Sequence, residues 1–157
     1  MKIETWYVDM DDTLCDFFGQ AYLDKKANPS IAYPQATYGF FTKLKPLPNA
    51  IESMKEMVHM GLDVWILTRP SVLNPLCYTE KRVWVEQHLG LEFCDRLILS
   101  PDKGKVGTEN DCLIDDFNWK TPVLPELTPW KGIQFHFGYG KYKNWKSIME
   151  IIKTEYE

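Results

Sequence analysis

Cysteine is scarce and unpaired in this chain. The four cysteines, Cys15, Cys77, Cys94 and Cys112, form no Cys-x-x-Cys pair, and only three histidines accompany them. That leaves no structural zinc pattern and reads as free thiols in a cytoplasmic protein. No apolar run approaches the ~20 residues of a membrane span, and Met1 to Trp6 carries no signal-like apolar core, so no membrane partner is expected. Basic charge is not in excess: eighteen Lys and Arg against twenty-two Asp and Glu give a net charge of −4. No bulk field therefore attracts nucleic acid, and a polynucleotide partner would need a local basic patch. The chain does have 45% apolar and 25% charged residues, an ordinary folded balance that rules out intrinsic disorder. Its 157 residues read as one domain, 1–157, large enough for a core without disulfides. The sequence leaves an oligomer open.

Apolar strands alternate with helical segments along the chain. Ile3 to Asp9 reads as a strand and Asp16 to Lys26 as a short helix with Asp16 as a possible cap. Asn28 to Pro48 breaks the pattern, with at most one helical turn near Gly39–Lys43. Pro48 opens a helix with Ile51, Met54 and Val58 at i, i+3 and i+7, stopped by Gly61. Leu62 to Leu67 is a second strand and Arg69 to Tyr78 a loop. A helix over Thr79–Leu89 ends at Gly90. Arg96 to Leu99 and Cys112 to Ile114 are further strands, and Ile133 to Phe137 a fifth. The last helix places Trp145, Ile148, Met149 and Ile152 on one face. This alternation predicts an α/β fold with a mainly parallel sheet covered on both sides, and ligands at the carboxyl ends of its strands.

Those strand ends carry the candidate chemistry. The first ends in Asp9-Met10-Asp11-Asp12-Thr13, and alternation along a strand points Asp9 and Asp11 the same way while Met10 enters the core. Aspartates are common in turns, but Trp6-Tyr7-Val8 leads Asp9 to the edge of the core, where unpaired charge is costly. The fourth strand ends in Asp115-Asp116. If both pairs meet, an all-oxygen cluster favours a hard ion such as Mg²⁺. Thr68 ends the second strand, where its hydroxyl could meet a phosphate oxygen or close a turn. Lys81 falls in the first turn of the Thr79–Leu89 helix, where the macrodipole disfavours a cation and a nearby anion would offset the misplacement. Lys103 and Lys105 are a competing positive source in a Gly-flanked loop that also fits an ordinary surface loop. Phe17-Phe18 and Tyr38-Gly39-Phe40-Phe41 are aromatics that can stack on a base or pack a small helical subdomain. Cys15 stands beside acidic groups that disfavour a thiolate nucleophile.

In this order, Asp9-x-Asp11-x-Thr13, Thr68, Lys81 and Asp115-Asp116 resemble the haloacid dehalogenase superfamily of phosphotransferases. The stretches Val8 to Phe17 and Tyr78 to Glu86, with Leu113-Ile114-Asp115-Asp116, are similar to the 5′(3′)-deoxyribonucleotidases. The resemblance implies a Rossmann-like three-layer domain with a small helical cap at about residues 16–45. It implies Asp9 as nucleophile, Asp11 as general acid and base, and Thr68 and Lys81 on the phosphate. Mg²⁺ would be held by Asp9, the Asp11 carbonyl and Asp116, with Asp115 behind them and paired with Lys81. Phe17, Phe40, Phe41 and Lys103 would contact a nucleoside monophosphate. Two departures stand out. Asp12 replaces a usually small residue, and Pro101-Asp102-Lys103 replaces an Arg-Asp-Lys of mammalian members. The expected activity is Mg²⁺-dependent hydrolysis of a phosphomonoester, with a deoxynucleoside monophosphate as substrate. The rivals are another small phosphate ester, a nucleic-acid end, or a non-catalytic phosphate-binding relative.

Overall fold

The computed structural model describes residues 2–156. Five strands, β1 (Trp6–Val8), β2 (Val64–Thr68), β3 (Leu97–Leu99), β4 (Cys112–Asp115) and β5 (Ile133–His136), form one parallel sheet in the order β3-β2-β1-β4-β5. The helices are α1 (Phe17–Ala27), α2 (Ala50–His59), α3 (Cys77–Leu89), α4 (Leu91–Cys94) and α5 (Trp145–Glu155). Each expected strand and helix is present, with ends moved by a few residues. The irregular segment before α2 holds two short 3₁₀ turns, Pro34–Ala36 and Phe41–Lys43.

Strand alternation sorts the core into two clusters. Trp6, Val8, Val64, Ile66, Cys112 and Ile114 face the larger one, into which α2, α3 and α5 send Met54, Trp84 and Trp145. Tyr7, Leu67 and Leu113 face the smaller one, closed by Trp119, Leu127 and Trp130. The second face is therefore covered by an aromatic loop, not by a helical layer. Right-handed crossovers explain the asymmetry. The chain steps from β1 to β2 to β3 in one direction, so α2 and α3 lie on the same face. It then crosses back to β4 and on to β5, and those connections fall on the other face. They are loops, save for a 3₁₀ turn at Lys103–Lys105.

Two local expectations shift. The face α2 buries is Ala50, Ser53, Met54 and Met57, while Val58 is exposed and Ile51 half-buried. The buried stripe lies beside the expected one and shares Met54 with it. Helix α3 begins at Cys77, so Lys81 is its fifth residue, deeper than the first turn, and is wholly buried. Helix α5 buries the expected Trp145, Ile148, Met149 and Ile152. Strand β1 lies between β2 and β4, and the connections around it leave toward opposite edges. This switch point opens a crevice at the carboxyl ends of β1 and β4.

Candidate active site

The turn after β1 winds around one carbonyl: Met10 O accepts from the backbone N–H groups of Thr13, Leu14 and Cys15 at 3.1, 2.8 and 3.0 Å. Met10 itself is buried in the larger core, as alternation requires. Asp12 sits at φ +59°, a left-handed position that glycine meets freely and that Asp tolerates better than most residues. Its side chain accepts from the Phe18 N–H at 3.0 Å. Asp16 caps α1 by accepting from the Gly19 N–H at 2.9 Å. Sequence and backbone thus agree at the departure from a small residue.

Asp9 continues the Tyr7 side of β1 on the loop-covered face, and Asp115 continues the Leu113 side of β4 on the same face. Lys103 Nζ donates to Asp9 Oδ1 at 2.6 Å and to Asp115 Oδ2 at 2.7 Å, with all three residues buried. Burial alone would lower the Lys103 ammonium, but Asp115 and Asp9 outweigh it and hold the group firmly protonated. The loop that carries Lys103 is pinned at both sides. Asp102 accepts from the Thr128 N–H and hydroxyl, the latter at 2.7 Å. Gly104 lies so close to Thr128 that an added Cβ would stand 1.9 Å from its carbonyl oxygen. Lys103 is no surface-loop lysine.

Lys81 comes from the helical face and meets a different set. Its ammonium donates to Asp11 Oδ2 at 3.0 Å, Thr68 Oγ1 at 2.5 Å and the Arg69 carbonyl at 2.8 Å. This corrects the expected Asp115–Lys81 pair, and the reason is topological: Asp115 faces the opposite side of the sheet from α3. A phosphate would meet Lys81 only in exchange for one of these partners. An ammonium has three protons, and all three are taken. Burial raises Asp11 above the usual carboxylate range; Lys81 opposes the rise and Asp9 adds to it.

Asp9, Asp115 and Asp116 each offer an oxygen within 4.8 Å of the others. Asp115 has little left to give, because Lys103 holds one oxygen and the Phe117 N–H donates to the other at 2.9 Å. Asp9 and Asp116 instead share the Thr13 hydroxyl at 3.4 and 3.3 Å, and among the described residues Asp116 has no ion pair. Burial, then Asp9 and Asp115, push Asp116 well above the usual carboxylate range. Burial and then Asp9 push Asp115 up to about 7, against the pull of Lys103. A hard divalent ion fits this all-oxygen donor set. Thr13, read only as part of a motif, proves to link the two strand-end pairs.

Two cavities meet here. One of about 190 Å³ is lined by the aspartates, Lys103, Arg69, Phe117 and Trp119. The other, about 370 Å³, lies between Phe17, Gln35 and Phe41 on one side and Arg69 to Leu73 with Pro101 on the other. They share Asp11 and Arg69. Phe17 and Phe41 border the second cavity, though Phe41 is only 1% exposed. Phe40 does not: it is fully buried behind them, edge-on to Phe41 with centroids 5.1 Å apart. Phe41 also packs against Lys81, whose Nζ lies 5.1 Å from the ring centroid. Arg69, Gln35, Ser71, Phe117 and Trp119 went unnoticed in the sequence, where nothing but their places beside strand ends and cap marks them. Burial and then Asp11 raise the Cys15 thiol well above its ordinary value, against a nucleophilic role.

The described helices include none long and apolar enough to cross a membrane. Residues 30–153 match the family model described as 5′ nucleotidase, deoxy (Pyrimidine), cytosolic type C protein. That match spans Thr68, Lys81, Lys103 and Asp115-Asp116 but begins after the Asp9 motif. Over 130 residues the chain is 35% identical to a Bordetella bronchiseptica protein named "Putative 5′(3′)-deoxyribonucleotidase", covering 74% of this chain and 67% of that one. A Vibrio phage KVP40 protein of the same name is 30% identical over 153 residues, covering 95% and 84%. The human 5′(3′)-deoxyribonucleotidase, cytosolic type, is 44% identical over 99 residues, 62% of this chain but only 47% of that protein. The family model over residues 30–153 and the relatives at 30–35% identity show that the chain belongs to this 5′(3′)-deoxyribonucleotidase family.

Proposed function

We propose that this chain is a Mg²⁺-dependent phosphomonoesterase that removes phosphate from deoxynucleoside monophosphates through an aspartyl-phosphate on Asp9. The observation that carries this reading is the placement of Asp9 and Asp11 in one cavity, each held by its own buried lysine, with a second cavity joined to the first at Asp11. Lys103 fixes Asp9 by Oδ1, which leaves Oδ2, in loose contact with Thr13, to attack phosphorus in line. As the ester P–O bond breaks, Asp11 gives its proton to the leaving oxygen. Its raised pKa suits that task. Water then attacks the aspartyl-phosphate, Asp11 takes the proton, and phosphate leaves with Asp9 restored. Mg²⁺, held by Asp9, the Asp11 carbonyl and Asp116, would supply charge that offsets the phosphoryl oxygens.

Residues 16–45 act as a cap in this reading, and Phe17, backed by the buried Phe41, offers a surface for the base. Six of the ten residues lining the second cavity are apolar, and its polar groups are Asp11, Arg69, Gln35 and Ser71. A 2′-hydroxyl left unpaired there costs roughly 1–3 kcal/mol, which favours the deoxy sugar by about one to two decades in kcat/KM. The test is a panel of nucleoside 5′- and 3′-monophosphates, ribo and deoxy, assayed with and without Mg²⁺ beside a generic aryl phosphate. Deoxynucleotides are expected to lead. Hydrolysis of the aryl phosphate alone, or equal rates on ribo and deoxy pairs, would defeat the nucleotidase reading.

A further inference from the structure

The charges around the first cavity do not balance. Asp9, Asp11, Asp12, Asp115 and Asp116 line it, and the ammonium groups facing them are Lys81 and Lys103. Even with a divalent ion in place these groups leave no positive charge to spare, and the incoming group is itself an anion. Lys81 has no proton to spare, and Lys103 has already given two of its three to Asp9 and Asp115. Arg69 is the one other cation lining either cavity. Its side chain is exposed, and among the described residues it makes no ion pair.

Its position is as telling as its charge. Arg69 and Asp11 are the residues common to both cavities. A substrate that spans them places the bond between its phosphate and its organic part at this junction. The backbone of Arg69 is fixed there, since its carbonyl accepts from buried Lys81 at 2.8 Å and the preceding Thr68 ends β2. A guanidinium presents paired N–H groups that match two oxygens of a phosphate, and it loses little freedom in doing so.

We propose that Arg69 is the phosphate-anchoring residue of this site, its guanidinium gripping the non-bridging oxygens beside the ester bond while Lys81 and Lys103 hold carboxylates. This builds on the phosphatase reading above, but it claims contact with the phosphate whatever the organic part is. The experiment compares Arg69→Gln and Arg69→Lys with the wild type in two assays. One titrates inorganic phosphate into the Mg²⁺-loaded protein by calorimetry. The other measures KM for an aryl phosphate and for a deoxynucleoside monophosphate. Arg69→Gln should weaken inorganic phosphate about 10- to 100-fold and raise KM for both esters by a similar factor, the loss falling more on KM than on kcat. Arg69→Lys should recover part of it, because a point charge lacks the fork. Unchanged phosphate affinity in Arg69→Gln would overturn the proposal. So would a loss confined to the nucleotide, which would put Arg69 on the nucleoside instead. If the wild type turns over no nucleotide yet Arg69→Gln still loses inorganic phosphate, the nucleotidase reading falls and the anchor stands.

Discussion

Replacing Lys103 by Met should destabilise the fold more than any other single change in the cavity. The ammonium is 1% exposed and bridges Asp9 and Asp115, at 6% and 1% exposure, through contacts of 2.6 and 2.7 Å. Removing it leaves two like charges buried together without a partner. Breaking a buried pair in this way costs about 3–5 kcal/mol, a large share of the ~5–15 kcal/mol that holds a domain together. At roughly 2–4 °C per kcal/mol for a chain of this size, Tm should fall by about 6–20 °C. The orphaned carboxyls will favour the protonated form, so the folded state will bind more protons than the unfolded one. Stability of the variant relative to wild type must then improve as pH falls and worsen as it rises. The assay is urea unfolding across pH in the presence of chelator, with Asp115→Asn and the double variant completing a cycle. Because Asp115→Asn removes one of the orphaned charges, the double variant should be more stable than the sum of the single losses, by at least ~1 kcal/mol of coupling. A Lys103→Met protein within about 1 kcal/mol of wild type, or a cycle without coupling, would refute the view that Lys103 exists to neutralise these two aspartates.

Asp9→Asn should abolish turnover, since an amide cannot form the acyl-phosphate; steady-state rates above a small fraction of wild type would contradict it. Asp11→Asn should slow turnover by about 10²–10⁴-fold, most severely on esters with poor leaving groups, and equal losses on good and poor leaving groups would remove its role as acid. Glu80→Ala should cost about 1–3 kcal/mol by denaturant titration. The buried Glu80 carboxylate accepts from the Phe41 N–H at 3.1 Å and the Asn74 amide at 2.9 Å, and its loss leaves both donors unmatched. Phe17→Ala should raise KM for nucleotides while sparing an aryl phosphate that carries no base, and equal effects on both would take Phe17 off the base.

What was legible in the sequence is what short-range pattern controls. Strand ends at Asp9, Thr68 and Asp115 follow from apolar runs that stop at polar residues, and the face of α5 follows from Trp145, Ile148, Met149 and Ile152. Periodicity cannot choose between adjacent stripes of one helix. Ile51 and Val58 look like the better core residues of α2, yet Ala50, Ser53 and Met57 are the ones buried, and Met54 belongs to both patterns. Phe40 shows the same limit: next to Phe41 in sequence, it packs behind its neighbour instead of lining the cavity. Partner choice over long separations is less legible still. Asp9 and Lys103 are 94 residues apart, and nothing local in the Pro101–Lys105 loop announces a buried lysine.

The exchange of lysine partners has a consequence for how the site works. Connections on one face of the sheet are helical and deliver Lys81; connections on the other are loops and deliver Lys103. The aspartates between them are thus clamped from both sides by groups belonging to separate core clusters. In the proposed mechanism Asp9, gripped through Oδ1 by a buried lysine, is kept in one orientation for attack. Asp11, whose side chain is 28% exposed, remains open to the cavity from which, in that mechanism, a leaving group would depart and water would arrive. A proton carrier needs that access, and a nucleophile needs fixity more than access. The unequal burial of the two carboxylates, set by which face each lysine comes from, would divide the two proposed roles without requiring different residue types.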